Sequence, residues 1–351
     1  MFDLGGALVL PGLINAHDHL ELNNFPRLKW RERYANAAEW IADFQPRFEA
    51  EAALAAPRAV PLADRLLVGG LKSLLSGATT VCHHNPLHGP LRGNFPVRVV
   101  TRYRFSHSLH VDGEAAAARA YRRTPRGWPW IIHAAEGADE AAAAELARLD
   151  RLGCLGPNTV LVHGVGLRPE DRRRLGESGG SLIWCPSSNL FTLGQTAEVR
   201  ELAEAGRVAL GSDSRLSGVR DLLEELQAAR ATGQLDAAGL LRLVTTDAAA
   251  ILRLPHAGRL AAGGPADLIV LPDGPGQAAE RLLTLTRAAL RLVMIGGRPG
   301  YADPDFAPLF ALAGVRAEPV RVDGRPKLLA GWIVDGLRRS SIAEAGLELA
   351  G

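Results

Sequence analysis

The sequence predicts an α/β protein, a TIM-like (β/α)8 barrel with a small β-domain after it, and three observations carry that expectation. Short apolar runs of strand length alternate with helical periodicity through most of the chain, which calls for a parallel sheet with helical crossovers. Histidines and one aspartate stand at or just past the C-terminal ends of those runs, the face where such a barrel gathers its site. Beyond Leu252 the pattern gives way to short strands punctuated by glycine.

Length and composition agree. A chain of 351 residues with 47% hydrophobic content can fill a sizeable core. The formal net charge is only +2, and the arginines fall in short groups (Arg98/Arg102/Arg104, Arg119/Arg122/Arg123, Arg172/Arg173/Arg174) without clustered aromatics, so no nucleic-acid partner is expected. Cys82, Cys154 and Cys185 are odd in number and lack Cys-x-x-Cys spacing, which argues against a disulfide framework and fits a reducing compartment. No apolar run reaches membrane-spanning length, and no basic segment precedes a signal-type core. The expectation is a cytoplasmic protein that acts on a small molecule without a membrane partner, with a homodimer as the prior for such a barrel.

In order, Leu13 to His17 reads as the first strand, with His17-Asp-His19 at its end. A strand sends residues i and i+2 to the same side, so the two imidazoles leave it pointing the same way and can share one metal ion. The irregular stretch that follows offers Phe25, Trp30, Tyr34 and Trp40 as a wall for a flat ligand. Pro61 to Ser76 has helical spacing and stops at Gly77; Ala78 to His84 is a β-branched strand ending in His83 and His84. Pro96 to Arg102 is a further strand candidate, with His107 and His110 shortly after it, and Glu114 to Arg123 is an alanine-rich helix. Trp130 to His133 is a strand leading to Glu136, Asp139 to Leu152 a helix, Thr159 to His163 a strand and Pro169 to Glu177 a helix. Ser181 to Pro186 is a strand running into Ser188 and Asn189, Ala197 to Ala205 a helix, and Val208 to Asp213 the last barrel strand.

This makes seven clear strands. The interval from Arg102 to Trp130 is too short for a full extra strand and helix, so the fourth strand is condensed, absent, or formed by Phe105 to Val111. Asp221 to Arg230 and Leu235 to Leu252 are helical. Short strands then fall within His256 to Leu271 and Leu292 to Arg298, another within Val320 to Ile333, and a helix and tail end the chain. The expected division is a barrel at 13–254 and a small β-domain made of 1–12 and 255–351.

Gathered at one barrel mouth, His17, His19, His133 and Asp213 make three imidazoles and a carboxylate. That set suits Zn2+ and leaves a position for water; Fe2+ and Mn2+ accept the same ligand types. Taken singly, each residue could be structural, Gly-Ser-Asp213-Ser for instance being an ordinary turn or cap.

The ordered set resembles the amidohydrolase superfamily, in its mononuclear deaminase-like branch of cytosine, guanine and triazine-type aminohydrolases. The motifs run from residue 7 to 271: Pro11-Gly-Leu-Ile-Asn-Ala-His17-Asp-His19, Gly77-Ala-Thr-Thr-Val before His83, His133-Ala-Ala-Glu136, Val162-His163-Gly, Cys185-Pro-Ser-Ser-Asn189, Gly211-Ser-Asp213 and Gly258-Arg-Leu-x-x-Gly-x-x-Ala-Asp267-Leu-Ile-Val. The resemblance implies that His17, His19, His133 and Asp213 bind the metal, that Glu136 handles a substrate ring nitrogen, and that His163 helps activate water or hold the intermediate. Relatives usually carry a longer segment before the first histidine motif, which pairs with the C-terminal strands as a β-sandwich. Here that segment is nearly missing, so the sandwich is expected to be reduced or rebuilt from Ile269 to Ile333. Binuclear relatives commonly bridge their ions with a carbamylated lysine on the fourth strand. The only lysines here are Lys29, Lys72 and Lys327, none between the second and fifth strand candidates, and Glu114 begins a helix, so one divalent ion is expected.

The expected chemistry is attack by a metal-bound hydroxide on a ring carbon bearing an amino group. Glu136 would protonate the adjacent ring nitrogen, and His163 and Asp213 would pass the water's proton to the leaving group, releasing ammonia. His84, His107, Ser188 and Asn189 are expected substrate contacts, with supporting or turn-shaping roles open; the roles of His83 and His110 are open. The same site could instead open a cyclic amide or expel a group other than ammonia. A non-catalytic, metal-stabilised binding protein is the alternative of another class, and Glu136 and His163 speak against it, because a structural metal needs neither.

Overall fold

The computed structural model describes residues 4–350; residues 1–3 and 351 of the expected small domain lie outside the described residues. After a first strand β1 (Leu8–Pro11), the chain enters the barrel strands β2 (Leu13–Asp18), β3 (Ala78–His83), β4 (Arg98–Val99), β5 (Arg104–Ser108), β6 (Trp130–Ala134), β7 (Thr159–His163), β8 (Ser181–Trp184) and β9 (Val208–Leu210). One parallel ladder joins β2, β3 and β4, and another joins β5 through β9. The last strand returns to the first where the amide of Asp213, just past β9, donates to the carbonyl of His17 at 3.1 Å.

Strand alternation sorts the side chains into two cores. Ile14, Cys82, Ile131, Val160, Ile183 and Ala209 belong to the barrel interior, while Leu13, Val81, Trp130, Leu161, Leu182 and Val208 pack outward in the larger cluster shared with the helices. Both faces must be apolar, because one fills the barrel and the other carries the helical layer. Helix Leu62–Leu75 is the first crossover and presses Leu66, Leu71, Leu74 and Leu75 against that outer face.

Crossover helices are incomplete around the third strand. Only a short 3-10 turn, Gly89–Arg92, separates β3 from β4, and residues 100–103 alone link β4 to β5. Parallel neighbours joined in sequence need about a dozen residues to cross over, and this link has no room for that. The strand expected at Pro96 to Arg102 therefore shrinks to two paired residues, Arg98 and Val99. The fourth strand is Arg104–Ser108; it stops short of Val111 because Ser108 accepts the Val111 amide at 3.1 Å and starts the helix Leu109–Asp112.

Other elements also differ from expectation: the helix expected at Leu235 to Leu252 is two, Ala237–Leu243 and Thr246–Ile251, and that at Ala197 to Ala205 is only Arg200–Glu204. The Asp139 to Leu152 helix is two pieces, Glu140–Ala143 and Glu145–Arg151, with Asp139 capping the first. The Ser188/Asn189 stretch is the opening of a helix, Pro186–Leu193, rather than a turn; Pro186 sits at its first position, where no amide is needed.

The C-terminal part pairs with β1 in one seven-stranded antiparallel sheet. It adds β10 (Leu268–Leu271), β11 (Leu292–Ile295), β12 (Arg298–Ala302), β13 (Ala317–Val322), β14 (Arg325–Ala330) and β15 (Leu347–Leu349), in the order β1-β10-β11-β12-β14-β13-β15. The short N-terminal segment thus supplies one edge strand, Leu8 opposite Leu271 through Pro11 opposite Leu268. The expected tail after helix Gly331–Arg339 supplies the other. No helix among the described residues is long and apolar enough to cross a membrane.

Candidate active site

Strand ends deliver each functional side chain to one mouth. From the end of β2 come His17 and His19, their rings 4.9 Å apart and perpendicular. From β6 comes His133, with its ring centre 5.0 Å from that of His17 and 5.4 Å from that of His19. One nitrogen of each lies within 4.8 Å of the others, the one grouping of three or more His, Cys, Asp or Glu donors at metal-binding distance among the described residues. Asp213 brings Oδ1 to 3.9 Å from His17 Nε2 and 3.8 Å from His19 Nε2.

The donor set fits a divalent cation by chemistry as well as spacing. His133 Nδ1 donates to the carbonyl of His107 at 2.8 Å, which leaves Nε2 as a lone pair 3.2 Å from His17 Nε2. Burial first, and the neighbouring imidazoles second, hold His17 and His133 well below the ordinary histidine value, so both are neutral. Burial alone would raise the Asp213 carboxyl, but His19, His163 and hydrogen bonds from Ser188 and Ser214 outweigh it and keep the carboxyl below its usual range. Ser188 and Ser217 donate to Oδ2 at 2.7 and 2.9 Å, which turns Oδ1 toward the histidines. Imidazole nitrogens and a carboxylate so arranged are what a zinc-type ion takes.

Glu136 and His163 stand beside this set, with His163 Nε2 3.6 Å from Glu136 Oε1. Both line a cavity of about 340 Å³ together with His19, His133 and Asp213. Burial, opposed in part by His163, pushes the Glu136 carboxyl up to about 7, so it holds a proton near neutral pH. His163 Nδ1 donates to Asn189 Oδ1 at 2.8 Å, while Asn189 Nδ2 is taken by Thr196 Oγ1 at 3.1 Å. That pairing fixes the histidine tautomer and leaves Nε2 as the acceptor.

Backbone strain concentrates here. Ala135, His163 and Asp213 have φ of 52°, 75° and 50°, three of the five described non-glycine residues with positive φ. His163 follows inward-facing Val162, so simple alternation would turn it toward the helices; the left-handed backbone brings it back to the mouth.

Of the expected substrate contacts, His107 and Ser188 line the cavity, and His84 and Asn189 do not. His84 is buried beneath His133, ring centres 4.3 Å apart, with Nε2 on the Ser106 carbonyl at 3.1 Å. Asn189 spends its amide on His163 and Thr196. Of the four aromatic residues expected as a wall, only Trp40 reaches the cavity. Phe25 and Tyr34 are buried, and Trp30 gives its indole N–H to Glu51 at 2.7 Å. Trp40 is joined by Ile41 and Phe44 of helix Ala37–Ala50 and by Leu22 and Leu216. His83 is buried and accepts the Leu20 amide at 3.3 Å, and His110 lines a side cavity beside Ser108 and Arg148.

Beyond the apolar lining residues, Ser217 and Lys72 were given no place at the site by the sequence reading. Ser217 shares Asp213 Oδ2, and nothing in its sequence setting marks it. Lys72 is buried beneath β2, and it does carry a signal: it falls on the inward stripe Val68, Gly69, Ser73 and Ser76, where a lysine needs a partner.

Known proteins agree with this architecture. The Amidohydrolase family model matches residues 118–300. A 5-methylthioadenosine/S-adenosylhomocysteine deaminase of Syntrophobacter fumaroxidans is 27% identical over 324 residues, spanning 77% of this chain and 73% of its own length. An 8-oxoguanine deaminase of Pseudomonas aeruginosa is 33% identical over 168 residues, 42% of this chain and 36% of that one. The crystal structure of an adenosine deaminase from Xanthomonas campestris with bound zinc superposes with a TM-score of 0.68 at 22% identity, covering 88% of this chain and 85% of the other. Because the family match runs over more than half of the chain and takes in the strands that carry His133, His163 and Asp213, the chain belongs to the amidohydrolase family.

Proposed function

We propose that this protein hydrolytically deaminates a small nitrogen heterocycle, using one zinc ion held by His17, His19, His133 and Asp213. In this reading residues 13–254 are the hydrolase barrel, and 1–12 with 255–351 the accompanying β-domain. A cation bound there supplies Lewis acidity, which makes water acidic enough to be deprotonated near neutral pH.

The remaining work falls to the chain's own groups. Glu136 gives its proton to the ring nitrogen beside the carbon that bears the amino group, and that carbon becomes electrophilic. His163, with its Nδ1–H committed to Asn189, accepts the attacking water's proton at Nε2. Asp213 shares that proton at Oδ1, the amine receives it and departs as ammonia, and the hydroxyl proton of the intermediate returns to the Glu136 carboxylate as the carbonyl forms. Trp40, Ile41 and Phe44 offer apolar surface to the flat ring.

One observation carries this reading: a carboxyl able to hold a proton near pH 7 sits 3.6 Å from a histidine whose free nitrogen faces it, in the cavity that His19, His133 and Asp213 also line. A structural metal would need neither group. The deaminase names of the relatives support the same conclusion. The test is ammonia release from a panel of aminopurines and their nucleosides, aminopyrimidines, pterins and triazines. At least one should be turned over, and Glu136→Gln should lower kcat on it by about 100- to 10,000-fold. Undiminished turnover in that variant would remove Glu136 as proton donor; a panel that yields no ammonia would remove the deaminase.

A further inference from the structure

Alternation at the end of β2 turns His17 and His19 toward His133 and Asp213, and the residue between them, Asp18, to the other side. Asp18 is fully buried, and Lys72 from the first crossover helix meets it there, Nζ to Oδ2 at 3.0 Å. Asn15 and Ser212 also donate to that oxygen, at 3.1 and 3.2 Å, and Asn23 donates to Oδ1 at 2.8 Å. Lys72 is 1% exposed, and its Nζ also reaches Asn23 Oδ1 at 2.8 Å and the backbone carbonyl of Asp213 at 2.9 Å. An ammonium has three protons, and all three are used.

These acceptors share a location. Asp18 is flanked by two of the proposed ligands, and the carbonyl belongs to the fourth, Asp213, whose φ of 50° must be held by its surroundings. Asn23 Oδ1 also takes the amide of Arg215, just past Asp213, at 3.1 Å. One ammonium therefore ties the end of the first barrel strand to the end of the last, at the seam where the barrel closes.

A buried ion pair can exist only to neutralise itself, and a well-shaped uncharged pair would then replace it without loss. The bond to the Asp213 carbonyl has no part in such neutralisation. We propose that Lys72 is a positioning residue of the metal centre, holding Asp213 and the His17/His19 strand end at the spacing one divalent cation requires.

The inference rests on the proposed metal site, and its test needs no turnover. Zinc affinity of the metal-free protein is measured by chelator competition, and stability by chemical unfolding, for the unsubstituted chain, Lys72→Met and the double variant Lys72→Met/Asp18→Asn. The single variant leaves Asp18 buried and unpaired, so it should lose stability. The double variant removes both charges at nearly constant shape and should recover most of that stability, while its zinc affinity stays about 10- to 100-fold below that of the unsubstituted protein. Full recovery of zinc affinity in the double variant would reduce Lys72 to a counter-ion and overturn the proposal. A double variant that does not fold would overturn it too, since the lysine would then support the barrel and not the site. Failure of the unsubstituted chain to bind zinc would instead take away the metal centre itself, and this inference with it.

Discussion

Glu136 is one place where pH acts on this molecule. Its carboxyl is raised to about 7 by burial, so the protonated form prevails on the acid side and the carboxylate on the alkaline side. The donor is the protonated form, so its contribution is present below that value and is lost as pH rises through it. Initial rates over about pH 6 to 9 should therefore show kcat/KM, which reports the free enzyme's groups, falling roughly tenfold per unit above about 7, and the residual kcat/KM of Glu136→Gln should lack that limb. An alkaline limb unchanged in the variant would assign it to another group. Asn189 shows how the two hydrogen-bonding ends of an amide can matter more than its nearness to a cavity. Thr196 holds its nitrogen, so its oxygen faces His163 and sets which imidazole nitrogen is left to react.

At the scale of elements, the site is made by the approach of β9 to β2. Gly211, one step past β9, has no side chain because none fits: a Cβ there would lie 2.6 Å from His17 Cβ and 3.0 Å from the His17 backbone nitrogen. Backbone cannot yield as a flexible side chain can, so Gly211→Ala should cost about 1–3 kcal/mol in chemical unfolding and weaken zinc binding through displacement of His17. A variant of unchanged stability and affinity would mean that the seam can open freely. Helix Ala37–Ala50 contributes differently. None of its residues is fully buried, and its Trp40–Phe44 stack, ring centres 4.9 Å apart, faces the cavity.

For the molecule as a whole, the proposed ion joins residues that lie far apart in the chain: His17 and His19 near the start, His133 midway and Asp213 later. An unfolded chain cannot bring these together, so the ion binds the folded state and stabilises it by mass action, about 2.7 kcal/mol at one hundred times the Kd. Stripping the protein with a chelator should lower Tm, and excess zinc should restore it. A Tm indifferent to both treatments would argue that the four donors do not act as one site. The seven-stranded sheet closes the chain in a similar way, as β1 pairs with β10 and the Gly12 amide donates to Asp267 at 2.9 Å just before the barrel begins.

By itself the sequence determined the barrel, most of its strands, and the strand-end positions of His17, His19, His133, Glu136, His163 and Asp213. These depend on short-range rules, namely strand alternation, helical spacing and the gathering of polar residues at strand ends, all written in neighbouring residues. The extent of the third and fourth strands was less legible, because a missing crossover leaves an absence rather than a pattern. Tertiary structure alone decided which nearby residues touch the cavity and which brace it from behind. His84 went beneath His133, Asn189 onto His163, and Lys72 between two strand ends, because those assignments depend on which face of one element meets another, and hydrogen bonds between segments more than a hundred residues apart, such as Lys72 to Asp213, leave no periodic trace in the chain.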